Sequence, residues 1–278
     1  MKNLLLIGLC TFSVTYNFEP DKGNFALPAS QQPGPLFSRG QNTIDKGDFI
    51  FQEEWDAIWA PAVKGHELAH ALVYGPFENF SILLSVPNIP SLKTPAGSSS
   101  GISDIVVQTE YAFLNIEDND YSIQATLLNA LSFPSGSMQK RPPTGSGQVT
   151  FLAGGTLSYT SICWYSFVSG EVIFRSEKQE LPFRNSYFYD FGLGHNLGNP
   201  SNSIVAGLIE LNGIYLQAPK SVPNATSTHV IFLGPSLSIA TPKLLIAGGV
   251  QYPIYKDFAD PCNAPSMRAS LFLQWKFN

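Results

Sequence analysis

The sequence predicts an all-β protein: a single antiparallel, up-and-down transmembrane β-barrel of about twelve strands behind an irregular N-terminal lead-in. Three observations carry that expectation. The first is the C-terminal stretch Arg268 to Phe277, where Ala269, Leu271, Leu273, Trp275 and Phe277 alternate with Arg268, Ser270, Phe272, Gln274 and Lys276. A period of two gives a strand one apolar and one wetter face, and the aromatic residues at its end suit the level where hydrocarbon meets headgroups. The second is composition. Charged residues make up only 13% of the 278-residue chain while hydrophobic ones reach 44%, whereas soluble domains are roughly a quarter charged. Yet no run reaches the ~18 to 20 apolar residues of a membrane-crossing helix. The third is the alternation of short and long connections, which a barrel with short periplasmic turns and longer outer loops requires.

Taken from the N-terminus, residues 1–15 read as a secretory signal, with Met1-Lys2-Asn3 ahead of the apolar run Leu4 to Cys10. Residues 16–47 are rich in Pro, Gly, Gln and Asn and have no periodicity. They form the lead-in, either tucked into the barrel mouth as a plug or loose in the periplasm. Residues 48–278 form the barrel. Strand-like runs lie near Phe49–Trp59, Ala62–Tyr74, Asn79–Pro87, Ser103–Asn115, Tyr121–Phe133 and Gln148–Tyr159. Six more lie near Cys163–Arg175, Phe183–Gly194, Ser203–Gln217, Ser227–Ala240, Lys243–Pro253 and Met267–Phe277. Many approach the nine to eleven residues that cross a bilayer obliquely.

Gly75–Glu78, Ile116–Asp120, Thr160–Ile162 and Thr241–Pro242 read as short turns. Asn88–Ile102, Ser135–Gly147, Ala218–Thr226 and Ile254–Ser266 read as long loops. Ala60–Pro61, Ser176–Pro182 and His195–Asn202 depart from the alternation.

An Arg or Lys facing lipid at mid-depth costs about 2–4 kcal/mol, so the polar face of each strand is assigned to the lumen. In Ser103–Asn115, Ile105, Val107, Thr109, Tyr111 and Phe113 oppose Asp104, Gln108 and Glu110; in Ser203–Gln217, Val205, Ile209, Leu211 and Tyr215 oppose Glu210 and Asn212. The expected lumen set is Glu54, Asp56, Asp104, Gln108, Glu110, Glu171, Asp190, Glu210 and Asn212, with Arg175, Arg184, Lys243, Arg268 and Lys276. Both signs are present, which fits either cross-lumen ion pairs or a hydrated pore. The run Ala62–Tyr74 alternates least well.

His66-Glu67-Leu68-Ala69-His70 satisfies the H-E-x-x-H zinc pattern. That chemistry needs a helix, which stacks i and i+4 on one side; on a strand the two imidazoles stand about 13 Å apart at ~3.3 Å per residue. The motif therefore reads as a strand, with a zinc hydrolase as a remote alternative. Gly97-Ser98-Ser99-Ser100-Gly101 fits G-x-S-x-G but precedes a strand, so it reads as a linker. Glu117-Asp118-Asn119-Asp120 reads as a solvated turn, and His195 and His229 as surface or rim residues. Cys163 and Cys262 could pair in an oxidising compartment, but two cysteines make no framework. No metal or cofactor is expected. A net charge of −5 without a basic run argues against nucleic acid.

Gly101-Ile102-Ser103-Asp104-Ile105-Val106-Val107-Gln108-Thr109-Glu110-Tyr111 and Leu131-Ser132-Phe133-Pro134-Ser135-Gly136-Ser137 resemble the punctuation of the family named after the MetA pathway of phenol degradation. Gln41 to Gly47, Glu210 to Tyr215 and Gly234 to Leu237 are similar to further stretches of it. Ser103, where members often carry Gly, and Asn278, after the terminal Phe277, depart from the pattern. The resemblance implies an outer-membrane barrel of didermal bacteria that acts as a passive channel or transporter for small, aromatic or hydrophobic solutes, and it brings no catalytic residues. The alternative is a plugged structural or surface-interaction barrel. The expected partners are outer-membrane lipid, the barrel-assembly machinery and an unidentified small solute.

Overall fold

The computed structural model describes residues 23–39, 43–175, 185–218, 226–258 and 261–277. Short 3-10 turns occur at Gly23–Ala26, Ala29–Gln31 and Pro261–Asn263, and no described helix is long and apolar enough to cross a membrane. The remaining elements are strands β1 (Phe49–Trp59), β2 (Lys64–Phe77), β3 (Phe80–Thr94), β4 (Gly97–Ile102), β5 (Ile105–Glu117), β6 (Tyr121–Phe133) and β7 (Thr150–Ser161). They continue as β8 (Trp164–Phe174), β9 (Ser186–Gly198), β10 (Ile204–Leu216), β11 (Thr228–Ala240), β12 (Leu244–Asp257) and β13 (Met267–Phe277).

Each strand of the ring pairs antiparallel with the next, β3 pairing with β5 past β4, and β1 pairs in full register with β13, from Phe49 opposite Phe277 to Trp59 opposite Met267. The sheet therefore closes as a twelve-stranded ring, with β4 outside the count.

Residues 88–102 correct the expectation of a loop there. β3 runs on to Thr94, and β4 folds back along it as a hairpin above the ring. Pro87 and Pro90 make the segment read as broken, because proline lacks the N–H a ladder needs. Pro90 falls where the register slips against both neighbours, between His66 and Leu68 on β2 and between Ile89 and Leu92 along β3 itself. A bulge is where a strand tolerates proline. The irregular connections also find their place. Residues 60–63 lie at the long-loop end, as do the end of β8 at Phe174 and the start of β9 at Ser186, and 199–203 belongs to the short-turn end, because β9 extends to Gly198.

The wall is apolar outside and polar inside. Exposed side chains include Leu72, Leu84, Leu127, Leu157, Phe191, Leu237, Ile246 and Leu271, while Gln108, Glu110, Thr126, Glu171, Asp190, Glu210, Asn212 and Gln251 are buried. That inversion suits a ring with hydrocarbon outside. Aromatic residues mark both rims. Phe49 stacks on Tyr74 at the short-turn end, centroids 4.3 Å apart, and Phe151 stacks on Phe174 at the other. His195 sits edge-on to Trp164, and His229 lies among Tyr189, Tyr215 and Tyr255, so both histidines are rim residues.

The H-E-x-x-H residues lie on β2. His66 and His70 pair with Ala57 and Glu53 on the outer face, whereas Glu67 pairs with Asp56 on the inner one. His66 stacks on Trp55, and His70 Nδ1 lies 3.0 Å from Glu53 Oε1. The three groups do not converge on one ion. No disulfide joins Cys163 to Cys262. Cys163 is in the turn between β7 and β8, and Cys262 is in the loop between β12 and β13, at opposite ends of the barrel.

Candidate functional site: the lumen and the strap that crosses it

The lead-in, with no apolar period of its own, takes its shape from the polar lumen. It enters at the short-turn end, where the Asn24 backbone N–H donates to Ile162 O (2.8 Å) and its side-chain amide to Ser161 O (2.9 Å) and Trp164 O (3.3 Å). Asn196 closes the set by donating to Asn24 Oδ1 at 3.1 Å. Leu27 and Leu36 then pack against Tyr165, Phe167, Ile204, Leu208 and Leu245, an apolar patch on the inner wall.

Halfway up, the strap meets a polar network built from alternate residues of β8 to β13. Glu210, fully buried, accepts the backbone N–H groups of Leu36 (3.1 Å) and Phe37 (3.1 Å) and the Ser236 hydroxyl (2.5 Å). Asn212 donates to Ser38 Oγ (2.9 Å) and Asp190 Oδ1 (2.6 Å), and accepts from Gln251 Nε2 (2.6 Å). Ser169 donates to the other Asp190 oxygen at 2.7 Å. Arg268 donates twice to Gln251 Oε1, and its guanidinium lies between Phe37 (4.8 Å) and Phe232 (4.5 Å). Such networks hold a segment firmly when every member is satisfied. Arg39 reaches Glu171 at 3.4 Å and covers Phe188 at 5.1 Å.

Residues 43–48 bring the chain back to the short-turn end. Thr43 donates to Gln124 Oε1 (3.0 Å), Ile44 packs on Ile50 and Val73, and Lys276 pairs with Asp48 and, at 3.8 Å, with Asp45. Two glycines allow the close approach. A Cβ on Gly75 would lie 2.5 Å from Asp45 O, and one on Gly249 would lie 2.8 Å from the Phe37 ring.

Beside the strap lies a cavity of about 670 Å³, lined mainly by β13, β1, β2, β3 and β5, with Glu171, Phe188, Asp190, Asn212 and Ile214 contributed from β8 to β10. Its lining runs from Gln52 and Gln274 toward the short-turn end to Ile58, Gly65 and Leu92 at the long-loop end. Polar groups (Glu54, Asp56, Glu67, Ser85, Gln108) share it with Leu83, Ile89, Val106 and Phe272.

The expected lumen residues divide accordingly. Glu54, Asp56, Gln108, Glu171, Asp190, Asn212 and Arg268 line the cavity. Glu110 and Glu210 are buried on the inner wall, Glu110 accepting the Thr126 hydroxyl at 2.7 Å. Lys276 also points inward, beside Asp45 and Asp48. Arg175 follows the last residue of β8 at the long-loop rim and donates to Ser186 Oγ.

Two residues are corrected. Asp104 lies in the two-residue link between β4 and β5, where its carboxylate takes the N–H groups of Gly136 (3.0 Å) and Ser146 (2.7 Å), so it ties down the loop between β6 and β7. Lys243 is exposed in the turn between β11 and β12, outside the lumen, because β12 begins only at Leu244. Arg184 lies outside the described residues. Glu67 and Arg39 were missed as lumen residues. The register of Glu67 opposite Asp56 reveals the first, and Arg39 is the only cation between Lys22 and Lys46.

Solved structures share this architecture. An outer membrane channel from Pseudomonas putida F1 aligns with a TM-score of 0.68 at 12% identity, covering 88% of this chain and 99% of the other. The NanC porin aligns at 0.50 and 12% identity, covering 82% of this chain and all of its own. No curated protein sequence matches the chain significantly. The ring, its apolar exterior and this likeness are those of a bacterial outer-membrane β-barrel. Residues 28–255 match the family model described as "Putative MetA-pathway of phenol degradation", and the chain belongs to that family.

Proposed function

We propose that the protein is a passive channel through which small solutes cross the outer membrane beside the strap. One observation carries this reading: the cavity extends along the β1–β2–β3 wall past mid-depth instead of closing against the strap. Its lining mixes carboxylates and amides with Leu83, Ile89, Leu92, Val106 and Phe272. Small solutes with an apolar or aromatic body and a polar group fit that mixture, and the family's link to phenol breakdown points the same way. Purified protein should conduct in planar bilayers and let small solutes swell liposomes. A sealed bilayer at all voltages would refute the reading.

The anchoring of the strap at three levels supports a second reading, a plugged barrel whose role is structural. Removal of residues 16–47 distinguishes the two. A channel already open beside the strap conducts before the deletion and more strongly after it; a plugged barrel conducts only after it.

A further inference from the structure

We infer that the pathway favours cations over anions, and that Glu54, Asp56 and Glu67 set the preference. The inference rests on the channel reading above. These three carboxylates form one patch: Asp56 and Glu67 are directly opposite across β1 and β2, and Glu54 is two residues along the same face. All three line the cavity and remain partly exposed to it. None forms a salt bridge within 4.0 Å among the described residues, in contrast to Glu171, which is held by Arg39.

The cations that share the cavity are engaged elsewhere. Arg268 is pinned on Gln251 between two phenyl rings, and Arg39 leans on Glu171 and Phe188. The lining thus carries five carboxyl groups, Glu54, Asp56, Glu67, Glu171 and Asp190, against two guanidiniums.

A low-dielectric wall concentrates the field of such a patch within the cleft. A potential of about one kT enriches cations and depletes anions by about e-fold each, a permeability ratio of about seven. In 1 M salt, where screening acts within about 3 Å, the ratio should fall.

The test is the reversal potential in planar bilayers across a tenfold KCl gradient. The wild type should reverse on the potassium side, and a Glu54→Gln/Asp56→Asn/Glu67→Gln variant should move toward zero with conductance retained. Lys243→Gln, in an exposed turn, should change nothing. Heat-modifiable migration verifies that each variant has folded. A wild type that conducts but reverses at zero or on the chloride side overturns this inference and leaves the channel intact. So does a triple variant that conducts with unchanged selectivity. Absence of current from folded wild type overturns both.

Discussion

Replacing Glu210 by Ala tests how the strap is held. The buried carboxylate accepts the Leu36 and Phe37 N–H groups, each 3.1 Å away. No other acceptor lies within hydrogen-bond distance of these two groups among the described residues, and Glu210 itself is fully buried. Bonds to a charged group contribute about 1.5–3 kcal/mol each, and an orphaned buried donor costs about 1–3 kcal/mol. Two donors, partly relieved by movement of the strap, give about 2–4 kcal/mol of lost local stability. At 1.4 kcal/mol per tenfold, the Leu36 and Phe37 amides should exchange with solvent about 30- to 1,000-fold faster. The assay is hydrogen exchange on folded protein in detergent, read on the peptide containing residues 36–37 against a β10 peptide from the barrel wall. The strap peptide should accelerate while the wall peptide stays protected. Equal protection of Leu36 and Phe37 in wild type and variant would refute the clamp.

Other perturbations separate the remaining contacts. Glu53 and His70 form a pair on the lipid-facing wall, 3.0 Å apart with side chains 37% and 41% exposed. His70→Leu should lower the unfolding free energy in lipid vesicles by about 1–2 kcal/mol, because it leaves a carboxylate facing hydrocarbon. Adding Glu53→Leu should restore it, since an apolar replacement of both partners is close to neutral; additive losses would contradict the pairing. Gly249→Val should displace Phe37, because even a Cβ there meets its ring at 2.8 Å. Faster proteolysis of the strap with unchanged heat-modifiability is expected, and an equally protected strap would count against that contact. Lys276→Gln removes the ion pairs to Asp45 and Asp48, so residues 43–48 should become more protease-sensitive than in the wild type.

What was legible in the sequence follows from periodicity. β13 alternates along its length except at Phe272, and its partner β1 carries Gln52, Glu54 and Asp56 on the matching inner face, so wall and lumen could be told apart without coordinates. Charge position alone misled at two points. Asp104 continues the polar face of β5, but it stands just before that strand in the link from β4, where backbone N–H groups of a neighbouring loop claim it. Lys243 precedes an alternating run by one residue and falls in the turn. β4 was hidden behind Pro87 and Pro90. The strap was hidden for a different reason: an irregular segment has no period, and its course is dictated by wall residues more than a hundred positions away, as Leu36 and Glu210 illustrate. Its sequence marks which side chains it offers but not which partners receive them.

Passage beside the strap is most directly tested by blocking it. In a Cys163→Ser/Cys262→Ser background, Gln108→Cys places one thiol in the cavity wall, at a residue that lines it from β5. A small cationic thiol reagent should reduce the single-channel current there, and a reducing agent should restore it. A thiol at Lys243→Cys, in the exposed turn outside the lumen, should leave the current unaltered. Current that persists after complete modification of residue 108 would mean that ions take another route, and the path along β1, β2 and β3 would be wrong.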